Sequence, residues 1–283
     1  VASLNLWLET FADTAATRSS SALRNTLLQN PARASYSSIS DVARMAGVNI
    51  AAVTRTAQSW GFAGWPALRE ELRSRYLESL SLADVTVHRA HRSGADPIDE
   101  SMDADRRGLL ATTSGLRSET LREVVTAATG ARLRISLGIS SYRSIADLLA
   151  TYFTVAGYPT SAPSDVGGIA TALTALGPGD LVIAFDFWRG YALTIDTVTA
   201  AHENGATTCL VTDHAPGDLG AIADHVIRVP SESSTFLPSL VPAVAVINAL
   251  AAELALRAPA TTEASFTRFE DVWRRMRFAP KPN

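Results

Sequence analysis

The chain has 283 residues, 47% of them hydrophobic and 19% charged, a length that suits about two globular domains with a core each. Its most apolar stretch, 237–256, is broken by Pro238, Pro242, Asn248 and Glu253, so no run reaches the 18 or more residues that span a bilayer. A single cysteine, Cys209, excludes an internal disulfide and a cysteine-based zinc finger, and the first residues lack a basic segment followed by an apolar core, which predicts a cytoplasmic protein.

The net charge of −3 hides an asymmetry. Residues 1–92 carry 10 Arg against 7 Asp and Glu, whereas 93–283 carry 15 Lys and Arg against 21 Asp and Glu. A basic front and an acidic back suit a nucleic-acid-binding head on a non-binding body.

In chain order, 1–36 predicts one or two helices, with Leu4, Leu6, Leu8 and Phe11 opening the chain and Leu23, Leu27 and Leu28 following at helical spacing, ended at Pro31. Next comes SISDVARMAGVNIAAVTRTAQSWG, from Ser38 to Gly61. Ser38 is an N-cap that Asp41 can answer in a capping box, and Gly47 supplies a left-handed stop. Asn49 caps a second helix in which Ile50, Val53, Ala57 and Trp60 form an apolar stripe that Gly61 ends. Two short helices about a glycine turn make a helix-turn-helix, whose second helix enters the DNA major groove. Asn49, Thr54, Arg55 and Gln58 are polar residues near that helix's exposed face, and Arg33 and Arg44 are candidate phosphate contacts. Arg55 suits a guanine or phosphate, and Gln58 an adenine. A further helix follows, with Pro66 near its start and Leu68, Leu72, Tyr76 and Leu80 four apart; Phe62 and Trp65 are expected to staple it to the preceding helix.

Residues 81–99 form a polar linker, in which His88 and His91 lack a third metal ligand nearby. Beyond it, helices over 100–116 and 118–129 lead into alternating strands and helices. The strands are 133–137, a weak run at 158–161, 181–187, 208–212 and 226–229. Helices fall at 144–156, 166–176, 192–204 and, briefly, 219–223. Continuous apolar strands alternating with crossover helices predict an α/β body, a doubly wound, flavodoxin-like parallel sheet of five strands. Ligands bind such sheets outside the strand carboxyl ends, here Gly138–Arg143, Asp186–Tyr191 and Asp213–Asp218. The tail from 266 to 278 interleaves Phe269, Val272, Trp273 and Met276 with Arg268, Arg274, Arg275 and Arg277, as an amphipathic packing helix at a subunit interface does; a nucleic-acid contact is the alternative. The division expected is a head over 1–80, the linker, a body over 100–258, and a C-terminal helix and tail over 259–283.

The whole pattern resembles the RpiR/MurR family of bacterial transcriptional regulators. Ala43, Gly47, Val48, Val53, Arg55, Gly61, Phe62, Gly64 and Trp65 fill its head motif, and GDLVIAF, HENGATTCLVTD and AIADHVIRVPSE follow its body in order. The resemblance implies a helix-turn-helix head before a sugar-isomerase (SIS) domain that senses a phosphosugar. Where the family has a Gly- and Ser-rich first loop, this chain has GISSY; where the family has Ser-x-Ser-Gly, it has DFWRG. Ser140, Ser141, Tyr142, Asp186, Trp188 and Arg189 therefore become the candidate effector contacts. Asp186 repels a phosphate and Trp188 fills space, whereas Arg189 can clamp a carboxylate or phosphate or pair with Asp186.

The resulting expectation is a cytoplasmic, ligand-responsive regulator, a homodimer or tetramer on a double-stranded DNA operator, with a phosphorylated sugar or another anionic metabolite as effector. No cofactor, metal or membrane partner is expected. The alternative is an isomerase-like enzyme with Glu232 and His202 or His214 as its acid–base residues and an oligomerising helical head. No P-loop, Gly-x-Gly-x-x-Gly or Gly-x-Ser-x-Gly motif supports other chemistry.

Overall fold

A computed structural model of the chain describes residues 2–12, 17–80, 96–188, 190–213, 222–235 and 237–276. They fall into two compact units, 1–95 with 235–237 and 96–234 with 238–283. The linker histidines, His214 and most of the short helix expected at 219–223 lie outside the described residues.

The head is all helical: α1 (Ala2–Glu9), α2 (Arg18–Gln29), α3 (Pro31–Ala34), α4 (Ile39–Ala46), α5 (Ile50–Ser59) and α6 (Trp65–Ser79). Thr17 and Ser20 close a reciprocal capping box at the start of α2. One core joins Leu4 and Leu8, Leu23 and Leu27, Val42, Val53 and Ala57, and Leu68 and Leu72. Trp65 is buried and its indole N–H donates to the Ser37 carbonyl (3.1 Å), which fixes α6 to the entrance of α4. Phe11 stacks on Trp60 with ring centres 4.9 Å apart.

The body opens with α7 (Pro97–Gly115) and α8 (Ser118–Gly130), then alternates β1 (Arg134–Gly138), a 3-10 turn (Ser140–Tyr142), α9 (Arg143–Val155), α10 (Val166–Ala175), β2 (Leu181–Asp186), α11 (Ala192–Glu203), β3 (Thr207–Thr212) and β4 (His225–Arg228). Two helices close it, α12 (Val241–Arg257) and α13 (Pro259–Arg275). The strands are parallel in the order β1-β2-β3-β4. Leu181, Ile183, Phe185, Cys209, Val211 and Ile227 face α8, α9 and α12. Leu137, Val182, Ala184 and Leu210 face α10 and α11 on the other side. Both faces are covered, which is why these strands read as unbroken apolar runs.

The sheet has four strands, not the five expected. The weak run at 158–161 contributes a single parallel bridge, Ser161 to Ile135, with Ser136 N donating to Ser161 O (2.8 Å) and Ser161 N to Arg134 O (3.0 Å). Pro159 and Pro163 flank it, and proline offers no N–H to extend a ladder. The bridge lies on the outer side of β1. The chain therefore leaves β1 toward one edge and returns to β2 on the other side, with α9 and α11 on opposite faces. In sheets of this kind, ligands bind where such connections part, which here is at the carboxyl ends of β1 and β2.

The amino ends are tied by Asp180. Its buried carboxylate accepts from Arg132 (2.7 Å), Leu133 N (2.8 Å) and Gly177 N (2.9 Å).

Candidate functional site

In the head, Ser38 Oγ accepts from Asp41 N (3.2 Å) and donates to the Asp41 carboxylate (2.6 Å). Asp41 thus answers the cap through the serine hydroxyl. That bond, helped by Arg44 at 2.9 Å, holds the Asp41 carboxyl below its ordinary value. Gly47 takes φ 64°, ψ 32°, as a left-handed stop requires. Asn49 Oδ1 accepts from Ala52 N (2.8 Å), so its carbonyl caps α5 while the side chain stays exposed.

The face of α5 turned away from the core carries Asn49, Ile50, Ala51, Arg55 and Gln58. Thr54 is half-buried and its hydroxyl donates to Ile50 O (3.3 Å). Arg33, on α3, and Arg44, in the last turn of α4, are exposed. Ile50 departs from the expected stripe: it is 48% exposed, and Thr56 joins Val53, Ala57 and Trp60 inside. As the first residue of the helix, Ile50 has no preceding turn to pack beneath it.

In the body, the strand ends bring the candidate effector loops together, with Gly138 beside Phe185 and Asp186 beside Thr212. Gly138 is required by close approach: a Cβ there would lie 2.3 Å from the Tyr142 carbonyl oxygen. Ser140 is exposed with φ 58°, and Ser141 is half-buried, its carbonyl accepting from Ser144 Oγ (2.9 Å). Tyr142 is buried; its hydroxyl donates to Phe187 O (2.5 Å) and its ring meets Phe187 and Tyr191 edge-on.

Asp186 is also buried, with Oδ1 accepting from Tyr191 N (3.1 Å) just before α11. Trp188, buried with φ 62°, donates its N–H to Asp213 Oδ1 (2.9 Å). Arg189 lies outside the described residues. Asp213 is a residue that sequence reasoning did not single out. It follows β3 directly, and its second oxygen accepts from Ser231 Oγ, so one carboxylate ties the ends of β2, β3 and β4. Its signal was a lone Asp at the end of the apolar run CLVT.

Two loop amides are thus held by the chain's own carboxylates, while Ser140 and Ser141 keep a polar edge toward solvent. His202 stands elsewhere. It is in the last turn of α11, at the amino ends of the strands, 3.7 Å from Asp224. It is therefore not assembled with Glu232, which follows the carboxyl end of β4. Among the described residues no three His, Cys, Asp or Glu side chains gather as a metal site would require, and no single helix is long and apolar enough to cross a membrane.

Comparison with known proteins matches residues 11–79 to the helix-turn-helix domain of the rpiR family and residues 130–253 to the SIS domain. The uncharacterized HTH-type transcriptional regulator YfhH of Escherichia coli K12 is 26% identical over 217 residues, 74% of this chain and 76% of that one. The sugar isomerase domain of an RpiR transcription factor from Sphaerobacter thermophilus is 27% identical over 62% of this chain and 98% of that one, with a TM-score of 0.59. The Vibrio vulnificus NanR protein, solved in complex with ManNAc-6P, shares the fold over 96% of this chain and 98% of its own, at 17% identity and a TM-score of 0.58.

Proposed function

Because the chain belongs to the rpiR family of helix-turn-helix proteins with a SIS domain, we propose that it is a transcriptional regulator whose body senses a small metabolite and whose α5 reads DNA. The observation that carries this reading is the capped α4–Gly47–α5 unit, with its buried face in the head core and Arg55 and Gln58 on the open side. One head makes too few contacts for useful specificity, so two or four copies act together, each pair of heads on two half-sites about one helical turn or a multiple apart.

The effector binds at the carboxyl ends of β1 and β2, beside Ser140 and Ser141. The NanR protein was solved with a phosphorylated amino sugar, and a hydroxyl-rich, anionic metabolite is the corresponding class here. Asp186 places negative charge at the start of α11, so an anion is better placed at the first loop than at the second. Binding shifts the heads only through a difference in affinity between the two arrangements of the regulator.

A mobility-shift assay with DNA flanking its own reading frame, with and without sugar phosphates, tests the reading. A specific complex that a metabolite weakens or strengthens supports it; absence of any complex at low salt removes it. A turnover assay stands beside it, because sugar-phosphate isomerisation abolished by Glu232→Gln would make the chain an enzyme.

A further inference from the structure

α7 is the first helix of the body, so the chain that comes from the head enters the body through it. Its buried positions are Ala104, Gly108 and Thr112, all small. Gly108 marks a close approach, because a Cβ there would lie 2.9 Å from Pro242 Cγ in the first turn of α12. Small residues let two helices pack closely but offer no large ridge to fix how one sits along the other.

That place is fixed by polar groups. Glu100 and Asp103 pair with Arg107 and Arg106 on the helix's own surface, at 3.0 Å each. Asp105 reaches off the helix instead. Its Oδ1 accepts from Ser239 Oγ (2.5 Å), and the same hydroxyl accepts from Val241 N (3.2 Å) where α12 begins. Ser239 N donates to Ser231 O (2.9 Å), closing the neck of the loop between them. Ser231 Oγ donates to Asp213, whose other oxygen accepts from Trp188 N (2.9 Å). An unbroken polar chain therefore runs from Trp188, beyond the carboxyl end of β2, to α7.

The Trp188 end of this chain is under strain. At φ 62° it holds a left-handed conformation that disfavours any residue but glycine and lasts only while its surroundings impose it. Asp213 imposes it in part, and Asp213 is itself oriented by Ser231. A strained residue with a relaxed alternative, tied into a hydrogen-bonded network, is the kind of two-arrangement element that carries coupling between distant places.

We propose that this chain is a relay in which Asp105 is a positioning residue for the effector mouth. Through Ser239, Ser231 and Asp213 it holds Trp188 in its strained pose, and a metabolite that releases Trp188 loosens α7 from Ser239. The output is a change in the helix that follows the linker. The regulatory meaning of the relay rests on the regulator reading. The coupling itself is a property of the body, and its test uses neither DNA nor effector, so the two fail separately.

The test is amide hydrogen exchange on the full chain, read at Trp188, in the α7 turn around Asp105, and in the β2 core from Val182 to Phe185. Asp105→Ala is expected to speed exchange at Trp188 at least about fivefold, the factor one net hydrogen bond is worth, while the β2 core keeps the parent rate. Asp103→Ala breaks only surface pairs of the same helix and leaves Trp188 unchanged. Ser239→Ala repeats the effect of Asp105→Ala, and Ser239→Thr, which keeps the hydroxyl, returns the parent rate. Coupling is reciprocal, so Asp213→Ala speeds exchange in the Asp105 turn by a similar factor. Asp105→Ala puts a good helix former at a half-buried position, so it folds and decides the matter even if the other variants do not. No acceleration at Trp188 in that variant overturns the proposal, and so does acceleration shared by the β2 core, which is general loosening. An α7 that does not respond to Asp213→Ala overturns it equally, because a tie felt in one direction only is not a relay.

Discussion

The Tyr142 hydroxyl donates to the Phe187 carbonyl across the strand ends, joining the loop after β1 to the loop after β2 at 2.5 Å. Each loop also holds one residue other than glycine at positive φ, Ser140 at 58° and Trp188 at 62°. Such conformations cost on the order of 1–3 kcal/mol each and persist when the surroundings fix them. The tyrosine tie and the Asp213 bond to Trp188 N supply that fixing, so the mouth is set by side chains reaching between loops.

Replacing Tyr142 by Phe keeps the ring among its aromatic neighbours and removes the donor. The buried Phe187 carbonyl then loses this partner, and urea denaturation is expected to show a loss of about 1–3 kcal/mol. An unchanged midpoint and slope would mean that the hydroxyl does not hold the loops.

Gly138→Ala acts on the same junction from below. The new methyl would sit 2.3 Å from a backbone oxygen of the 3-10 turn, which cannot swing aside as a side chain can. Destabilisation of about 3 kcal/mol or more is expected from this overpacking, together with lost metabolite response in a thermal-shift assay. A variant as stable as the parent would show that the turn is free to move.

Much of this was legible in the residues, for reasons that are local. Ser38, Gly47 and Asn49 act through bonds and dihedrals within a few positions, so pattern alone placed α4 and α5. The β2 and β3 runs were plain because both their faces are buried. The fifth strand was not legible, because whether Ser161 extends a ladder depends on how two prolines meet an edge. The tie from Tyr142 to Phe187 was equally hidden, since 45 residues separate the partners. Asp186, by contrast, could be flagged for charge alone, though only the fold shows that it holds Tyr191 N.

Cys209 lies in the middle of β3, wholly buried, and desolvation pushes its thiol up to about 12. The nucleophile in thiol chemistry is the thiolate. A disulfide reagent at pH 8 is therefore expected to leave the folded protein unmodified and to label one thiol per chain in denaturant. Prompt reaction of the native protein would place Cys209 elsewhere.

Asp224 titrates below its ordinary value. Its partial burial works the other way, but bonds from Thr208 N (2.8 Å) and Oγ1 (2.9 Å), with the charges of His202 and His225, outweigh it. A carboxyl depressed in the folded state stabilises the fold above its unfolded value, near 3.8, and that contribution is lost as the pH falls through the folded value. Asp224→Asn should thus be less stable than the parent at neutral pH, with the gap closing in acid below the unfolded value. A gap that does not change with pH would contradict the assignment.

The most direct measurement is DNA affinity by fluorescence anisotropy over a salt series, for the parent and for Arg55→Ala, on operator and scrambled duplexes. If α5 reads DNA through Arg55, log affinity falls linearly with log salt for both proteins. The substitution then costs about 1–3 kcal/mol on the operator and relaxes preference at one base position. Affinity that is absent at low salt, or that Arg55→Ala leaves unchanged on the operator, would contradict the assignment of α5 as the recognition helix.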